Sequence, residues 1–253
     1  MNLEGRTALV TGAGHRVGRA LAVALGEQKM NVAVHYNASG SEAEETVRII
    51  GKAGGKAKSF GANLSEPTAP AELVHNVVKA FGALDVVVNS AAVMTRQPFG
   101  SVTAKDWDDV MSLNLRAPFL IAQAAAAEMP KGGAIVNISD LAAFETWPSY
   151  IPHSISKAGI VKMTEGLARV LAPSIRVNAI APGAVLLPDD WSDKTGERMS
   201  DTTPLRRLGD PSDVMIVQSP KIDGGELRVI RNGSGIAERE NRERQHDRHG
   251  EPC

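Results

Sequence analysis

The 253 residues carry a formal net charge of -1, with 43% apolar and 23% charged side chains. That balance fits a soluble globular domain and gives no electrostatic reason to expect nucleic acid or an anionic membrane surface as a partner. Met1 to Arg6 lack a signal-like apolar core and no uninterrupted apolar run reaches the roughly 18 residues of a membrane span, so a cytoplasmic protein is expected. The sole cysteine, Cys253, excludes an intramolecular disulfide and argues against a Cys-based zinc site.

Short β-branched runs alternate with longer helical patterns along most of the chain. Thr7 to Thr11, Val32 to Tyr36, Lys56 to Phe60, Leu84 to Asn89, Ala134 to Ser139 and Ile175 to Ile180 read as strands, the third being the weakest because it is short and contains two lysines. Between them, Val17 to Gln28, Ser41 to Ala53 and Ala71 to Phe81 carry helical periodicity. A longer helical pattern runs from Trp107 to Met129 and breaks near Asn114 to Pro118; another spans Ile155 to Leu171, with Pro152 placed to begin it. Strands that are apolar on both faces and alternate with helices predict a single three-layer α/β/α domain around a doubly wound parallel sheet. From Lys221 the helical periodicity is lost, and Glu238 to Arg248 is almost wholly polar or charged, as in a solvated helix or a disordered tail. His246 and His249 lack acidic or Cys ligands at metal spacing, so no metal site is expected.

The chemistry starts at Thr11-Gly12-Ala13-Gly14-His15-Arg16-Val17-Gly18, a glycine-bearing turn that leaves the first strand and opens a helix. Such a turn lets the backbone approach a pyrophosphate, whose charge meets the free N–H groups of the helix N-terminus. The second strand ends in His35-Tyr36-Asn37-Ala38-Ser39, with none of the acids that would bind the ribose 2'-OH of NAD and repel a 2'-phosphate. Arg16 can instead bond a phosphate, with His35 and Ser39 as further contacts, so NADP(H) is the expected cofactor.

These residues resemble the short-chain dehydrogenases/reductases. The loop is similar to their Thr-Gly-x-x-x-Gly-x-Gly fingerprint with Arg16 in place of the middle glycine. Asn89-Ser90-Ala91-Ala92 resembles their Asn-Asn-Ala-Gly, Asn114-Leu115-Arg116 their helix asparagine segment, and Pro182-Gly183 the turn after their sixth strand. Arg16 and the His35 to Ser39 stretch are more similar to the pteridine reductase branch than to the bulk of the family. The resemblance implies a Rossmann-like fold and cofactor contacts at Gly12, Gly14, His15, Arg16, Val17, Gly18, His35, Ser39, Asn89, Ala91, Lys157, Pro182 and Gly183, with Asn63 and Leu64 against the adenine.

His153-Ser154-Ile155-Ser156-Lys157 resembles the family's Tyr-x-x-x-Lys motif with histidine in the tyrosine position. The family's serine stands thirteen residues earlier, which here is Asp140 rather than Ser139, as in pteridine reductases. Strand alternation points Ser139 and Asp140 to opposite faces, and Asp140 is favoured for the pocket. By resemblance, Lys157 holds the nicotinamide ribose and Asn114 supports a water-linked proton relay. Three readings of position 153 stand side by side. Asp140 and His153 together supply the proton; or His153 leaves a nucleotide-binding or regulatory protein with little activity; or Tyr150 reaches the pocket from the preceding loop.

The implied reaction is reduction of a small-molecule substrate, a small carbonyl or pteridine-like compound. Trp147, Tyr150, Leu186, Leu187 and Trp191 fall in segments that border the substrate, while Val93-Met94 stands where pteridine reductases carry an aromatic clamp. After Pro204 to Val214 the family continues through an apolar helix, but here Ile222-Asp223-Gly224-Gly225 follows within a few residues. A deletion or altered reading frame near Met215 would produce this pattern. The expected division is a cofactor-binding domain over 1–214 and a divergent, partly disordered segment over 215–253. Loss of the family's final helix favours a homodimer through the long middle helices over a tetramer.

Overall fold

A strand that is apolar on both faces must be covered on both, and the arrangement follows from that demand. The computed structural model of the chain describes residues 3–145, 147–185, 200–201, 203, 206–210 and 227–230. Strands β1 (Thr7–Val10), β2 (Asn31–Tyr36), β3 (Lys56–Gly61), β4 (Val86–Asn89), β5 (Gly133–Ile138), β6 (Ile175–Pro182) and β7 (Leu227–Ile230) form one sheet in the order β3-β2-β1-β4-β5-β6-β7. Every pairing is parallel. The helices are α1 (Arg16–Glu27), α2 (Gly40–Lys52), α3 (Ala69–Phe81), α4 (Ala104–Met111), α5 (Ala117–Glu128) and α6 (Ile151–Leu171). The Rossmann-like α/β fold is as the alternation predicts, and α6 starts at Ile151 with Pro152 in its first turn, where the sequence puts its beginning. One strand is added: β7 comes from the segment beyond 214.

The period of two sorts the strand residues onto two cores. Val10, Val32, Val34 and Val88 face Leu21 and Leu25 of α1 and Ile50 of α2. Their neighbours Leu9, Ala33 and Val87 face the other way, together with Ile135 and Val177, against Leu73 and Val77 of α3 and Ile121 and Ala125 of α5. Full burial of an aliphatic side chain is worth about 1.5–3 kcal/mol relative to exposure, so these two layers supply most of the drive for folding. Substitution of a charge at Val87 or Val88 would put it at the centre of a layer.

Two local breaks prepare the site. Strands β1 and β4 are neighbours in the sheet but lead to β2 on one side and β5 on the other, so the loops leaving them diverge and open a crevice at the carboxyl ends of the strands. The helical pattern from 104 to 128 is interrupted by a π-turn over Ser112–Arg116. Pro118 has no N–H to give the Asn114 carbonyl in an α-helical ladder, and the Ala117 amide bonds back to Ser112 instead. The extra residue accommodated by that turn carries the Asn114 side chain into the crevice.

Candidate functional site

The loop after β1 is built for close approach. Gly12 has φ +66°, and a Cβ there would meet the Ala91 backbone at 2.9 Å; a Cβ on Gly18 would meet the Gly12 carbonyl oxygen at 2.2 Å. Thr11 ties this loop to the one after β4, its Oγ1 accepting from the Ser90 and Ala91 N–H groups at 2.9 and 3.0 Å. The first turn of α1 contains no acid, and its N-cap residue His15 makes no side-chain cap. A helix N-terminus with no acid in its first turn and no side-chain cap from its N-cap residue offers the chemistry a pyrophosphate needs. The glycine cradle and the uncapped helix end fit a dinucleotide.

At the ends of β2 and β3 the predicted contacts divide. His15 reaches the Ser39 hydroxyl through Nε2, joining the loop after β1 to the turn after β2, with exposed Arg16 beside it. His35, expected to touch phosphate, lies beneath the loop instead and is 2% exposed. Its Nδ1 accepts from the Gly12 N–H at 3.2 Å and its Nε2 donates to the Ala62 carbonyl at 3.0 Å, which fixes a neutral ring and leaves no nitrogen for a ligand. Burial lowers its pKa from the usual 6.5 to about 4, the Ala62 bond opposing the shift only in part. The Leu64 side chain is 2% exposed and belongs to the core with Leu73 and Val74, which leaves its backbone to face an adenine. Asn63 is exposed and holds its own turn by accepting from the Ser65 N–H.

The Asn89 side chain points into the sheet rather than at the crevice. Its Nδ2 donates to Asn137 Oδ1 at 2.8 Å, and Asn137 in turn donates to Thr164 Oγ1 at 2.9 Å, binding β4, β5 and α6 together. Pro182 ends β6, with Gly183 directly after it, at the same carboxyl edge.

The second cluster forms where β5 ends against α6. Asp140 is extended, and its Oδ1 accepts from the Ala142 N–H at 2.8 Å, capping a short turn over Leu141–Ala143. Its Oδ2 lies 2.6 Å from His153 Nε2. Ser139 points elsewhere: its hydroxyl donates to the Lys157 carbonyl at 3.0 Å and is spent on α6. Asp140 thus fulfils both the capping role and the contact with His153. One helical turn on, Lys157 donates to the Ile138 carbonyl at 2.9 Å. Burial lowers the Lys157 pKa, while the Asp140 carboxylate acts to raise it.

Asn114 closes the cluster. Its amide clamps the backbone of Val93 from both sides, accepting from the N–H and donating to the carbonyl at 2.9 Å each, and its Nδ2 also reaches Ser156 Oγ at 3.1 Å. His153 Nδ1 lies 3.1 Å from the Val93 carbonyl and 3.4 Å from Asn114 Nδ2. Both Nδ2 hydrogens are given to Val93 and Ser156, so the Val93 carbonyl is the partner of Nδ1. The ring thus has an acceptor at each nitrogen, the Asp140 carboxylate at Nε2 and the Val93 carbonyl at Nδ1.

Tyr150 stands apart from this cluster, edge-on to Trp147 with ring centroids 6.2 Å apart. Among the described residues no hydrogen bond joins its hydroxyl to Asp140, His153 or Lys157. Leu186, Leu187, Trp191 and the histidines of the tail lie outside the described residues. Sequence reasoning passed over Thr11, Ser156 and Asn137 as positioning residues, because a hydroxyl or amide inside an apolar pattern signals nothing until its partner is known.

The model of the short chain dehydrogenase family matches residues 6–196. The 3-oxoacyl-(acyl-carrier-protein) reductase FabG of Staphylococcus aureus is 35% identical over 214 residues, covering 83% of this chain and 87% of the relative. A dehydrogenase/reductase from Sinorhizobium meliloti superposes with a TM-score of 0.80 at 33% identity, over 85% of this chain and 88% of its own. The landomycin C-6 ketoreductase LanV, solved with bound NADP and rabelomycin, gives 0.77 at 33% identity over the same shares.

Proposed function

Since the chain belongs to the short-chain dehydrogenase family of oxidoreductases, we propose that it uses NADPH to reduce a small carbonyl compound, with Asp140 and His153 supplying the proton in place of the family's tyrosine. The observation that carries this reading is the 2.6 Å contact between Asp140 and His153, whose other nitrogen faces the Val93 carbonyl. Bound NADPH would supply the hydride. The chain's part is to hold the pyrophosphate on the Gly12 to Gly18 loop and to place the substrate oxygen beside Asp140 and His153. As negative charge develops on that oxygen the pair would deliver its proton by way of Asp140, the more exposed member, with the His153 Nε2 proton replacing it and Nδ1 staying against the Val93 carbonyl. Lys157, beside them, would hold the ribose.

NADPH is favoured over NADH by Arg16 and His15 at the start of α1 and by Ser39 after β2, a strand that ends in no acid to repel a 2'-phosphate. LanV, a ketoreductase with NADP bound, and FabG, a 3-oxoacyl reductase, support a carbonyl substrate. For a pteridine-like substrate, Val93 and Met94, 38% and 40% exposed, offer no ring to stack on. The test is titration of the protein with each dinucleotide, followed by NADPH oxidation with a panel of small ketones and pterins. Tighter NADPH binding and ketone-dependent oxidation are expected. Equal binding of the two cofactors, or binding without turnover, would contradict the proposal, the latter in favour of a regulatory nucleotide-binding protein.

We also propose a homodimer through the long middle helices. Phe119 on α5 and Ile155 on α6 are each 44% exposed, apolar surface that a second copy would cover. Sedimentation equilibrium should give a dimer, and a stable tetramer is the contrary result.

A further inference from the structure

A helix that packs on a sheet ordinarily turns an apolar stripe toward it. On α6 that stripe is polar: His153, Ser156, Lys157, Ile160 and Thr164 recur at helical spacing and are all buried, and only Ile160 carries a hydrocarbon side chain. The end of β5 meets it with three bonds. Asn137 Nδ2 donates to Thr164 Oγ1 at 2.9 Å, Lys157 Nζ donates to the Ile138 carbonyl at 2.9 Å, and the Ser139 hydroxyl donates to the Lys157 carbonyl at 3.0 Å. The bond farthest from the crevice has its direction fixed from both sides. Asn137 Oδ1 is occupied by Asn89, and the Thr164 hydroxyl gives its hydrogen to the Ile160 carbonyl at 2.8 Å, which leaves a lone pair for Asn137.

Such buried bonds bring little net stability over a hydrocarbon seam of the same shape. What bonds of set length and direction add is a single register between helix and strand. Asp140 comes one residue after Ser139, and His153 one turn before Lys157, so the joined segments carry the two members of the 2.6 Å contact just beyond the join. Thr164 forms a second anchor about 10 Å farther along the helix. One anchor would leave α6 free to swing about it; two fix both its slide and its rotation.

We propose that Ser139 and Thr164 are positioning residues for proton delivery: they hold α6 on β5 in the register that keeps His153 against Asp140. The proposal rests on that pair delivering the proton. Both residues act through His153, whose misplacement by about 1 Å would cost roughly 10²-fold in rate.

The test is a double-mutant cycle in kcat for NADPH-dependent ketone reduction by the full chain: wild type, Thr164→Val, His153→Ala and the double variant, with KM, NADPH affinity and thermal unfolding measured on each. Valine keeps the shape of threonine and loses the hydroxyl. Thr164→Val should lower kcat about tenfold, as a displacement of about half an ångström would, and leave KM and NADPH affinity unchanged. In the His153→Ala background it should cost nothing further, since the ring it positions is gone. Thr164→Ser, which restores the hydroxyl, should restore kcat. Ser139→Ala should repeat the pattern of Thr164→Val. It strands no donor, because the hydroxyl removed is itself the donor, so it serves where the valine variant fails to fold. The same fractional loss in both backgrounds, or a wild-type kcat in Ser139→Ala and Thr164→Val, would overturn this proposal alone. Unchanged turnover in His153→Ala would overturn the role of the Asp140 and His153 pair and this proposal with it.

Discussion

Replacing His153 with Ala should lower the rate of NADPH-dependent ketone reduction about 10²–10⁴-fold, the range lost with a general acid, and leave NADPH affinity unchanged. The cofactor loop and His153 are separate clusters, so binding and proton delivery should separate in kcat and Kd. Asp140→Asn should act in the same direction through a different change. Its amide oxygen can still accept from Ala142, but an N–H group then faces His153 Nε2, which must present a lone pair there and carry its proton on Nδ1. Tyr150→Phe should have no effect, since that ring packs on Trp147 outside the cluster. His153→Tyr would put a phenol back one turn before Lys157. Steady-state kinetics with a thermal-unfolding control on each variant decides among the three readings: unchanged turnover in His153→Ala excludes the histidine, and a loss in Tyr150→Phe transfers the role to the tyrosine.

Acidification should unfold the protein through His35. Its pKa is about 4 in the fold against the usual 6.5, because burial disfavours the charged ring. The unfolded chain therefore binds a proton that the native state refuses, and stability falls as pH drops from 6.5 toward 4. The full effect of such a shift is about 3 kcal/mol, a large share of a typical domain's stability. Above pH 6.5 this residue contributes no slope. Urea unfolding at pH 7 and pH 4.5 should show the loss in the wild type, and a smaller one in His35→Asn, whose amide cannot take up a proton. Equal pH dependence in the two proteins would show that other groups carry it. The Gly12 amide bonds this ring, so the same acidification should loosen the cofactor loop.

His35 also shows what a sequence withholds. Its position at the end of a strand, after a glycine-rich loop, was legible and placed it near the cofactor. Whether the ring faced the ligand or the underside of the loop depended on the Ala62 carbonyl, 27 residues away, which no local pattern announces. The core burial of the Leu64 side chain was hidden for the same reason. Other features came through because their physics is local. Pro118 forecasts a broken ladder at Asn114, and the period of two separates Ser139 from Asp140, which the structure sends to Lys157 and His153 respectively. The doubly wound parallel sheet needed only the alternation of runs, whereas the polar chain from Asn89 through Asn137 to Thr164 needed strands and a helix brought together from three parts of the sequence.

The proposal that Asp140 and His153 complete a working reductase is tested most directly by isotope transfer. The wild type and His153→Ala would each be incubated with C4-deuterated NADPH and a ketone that the wild type turns over, and the alcohol examined by mass spectrometry. Deuterium should appear on the carbinol carbon with the wild type, and its appearance should slow about 10²–10⁴-fold with the variant at equal NADPH occupancy. Transfer at the same rate by both proteins would contradict the role given to His153, and no transfer by a wild type saturated with NADPH would contradict the activity itself.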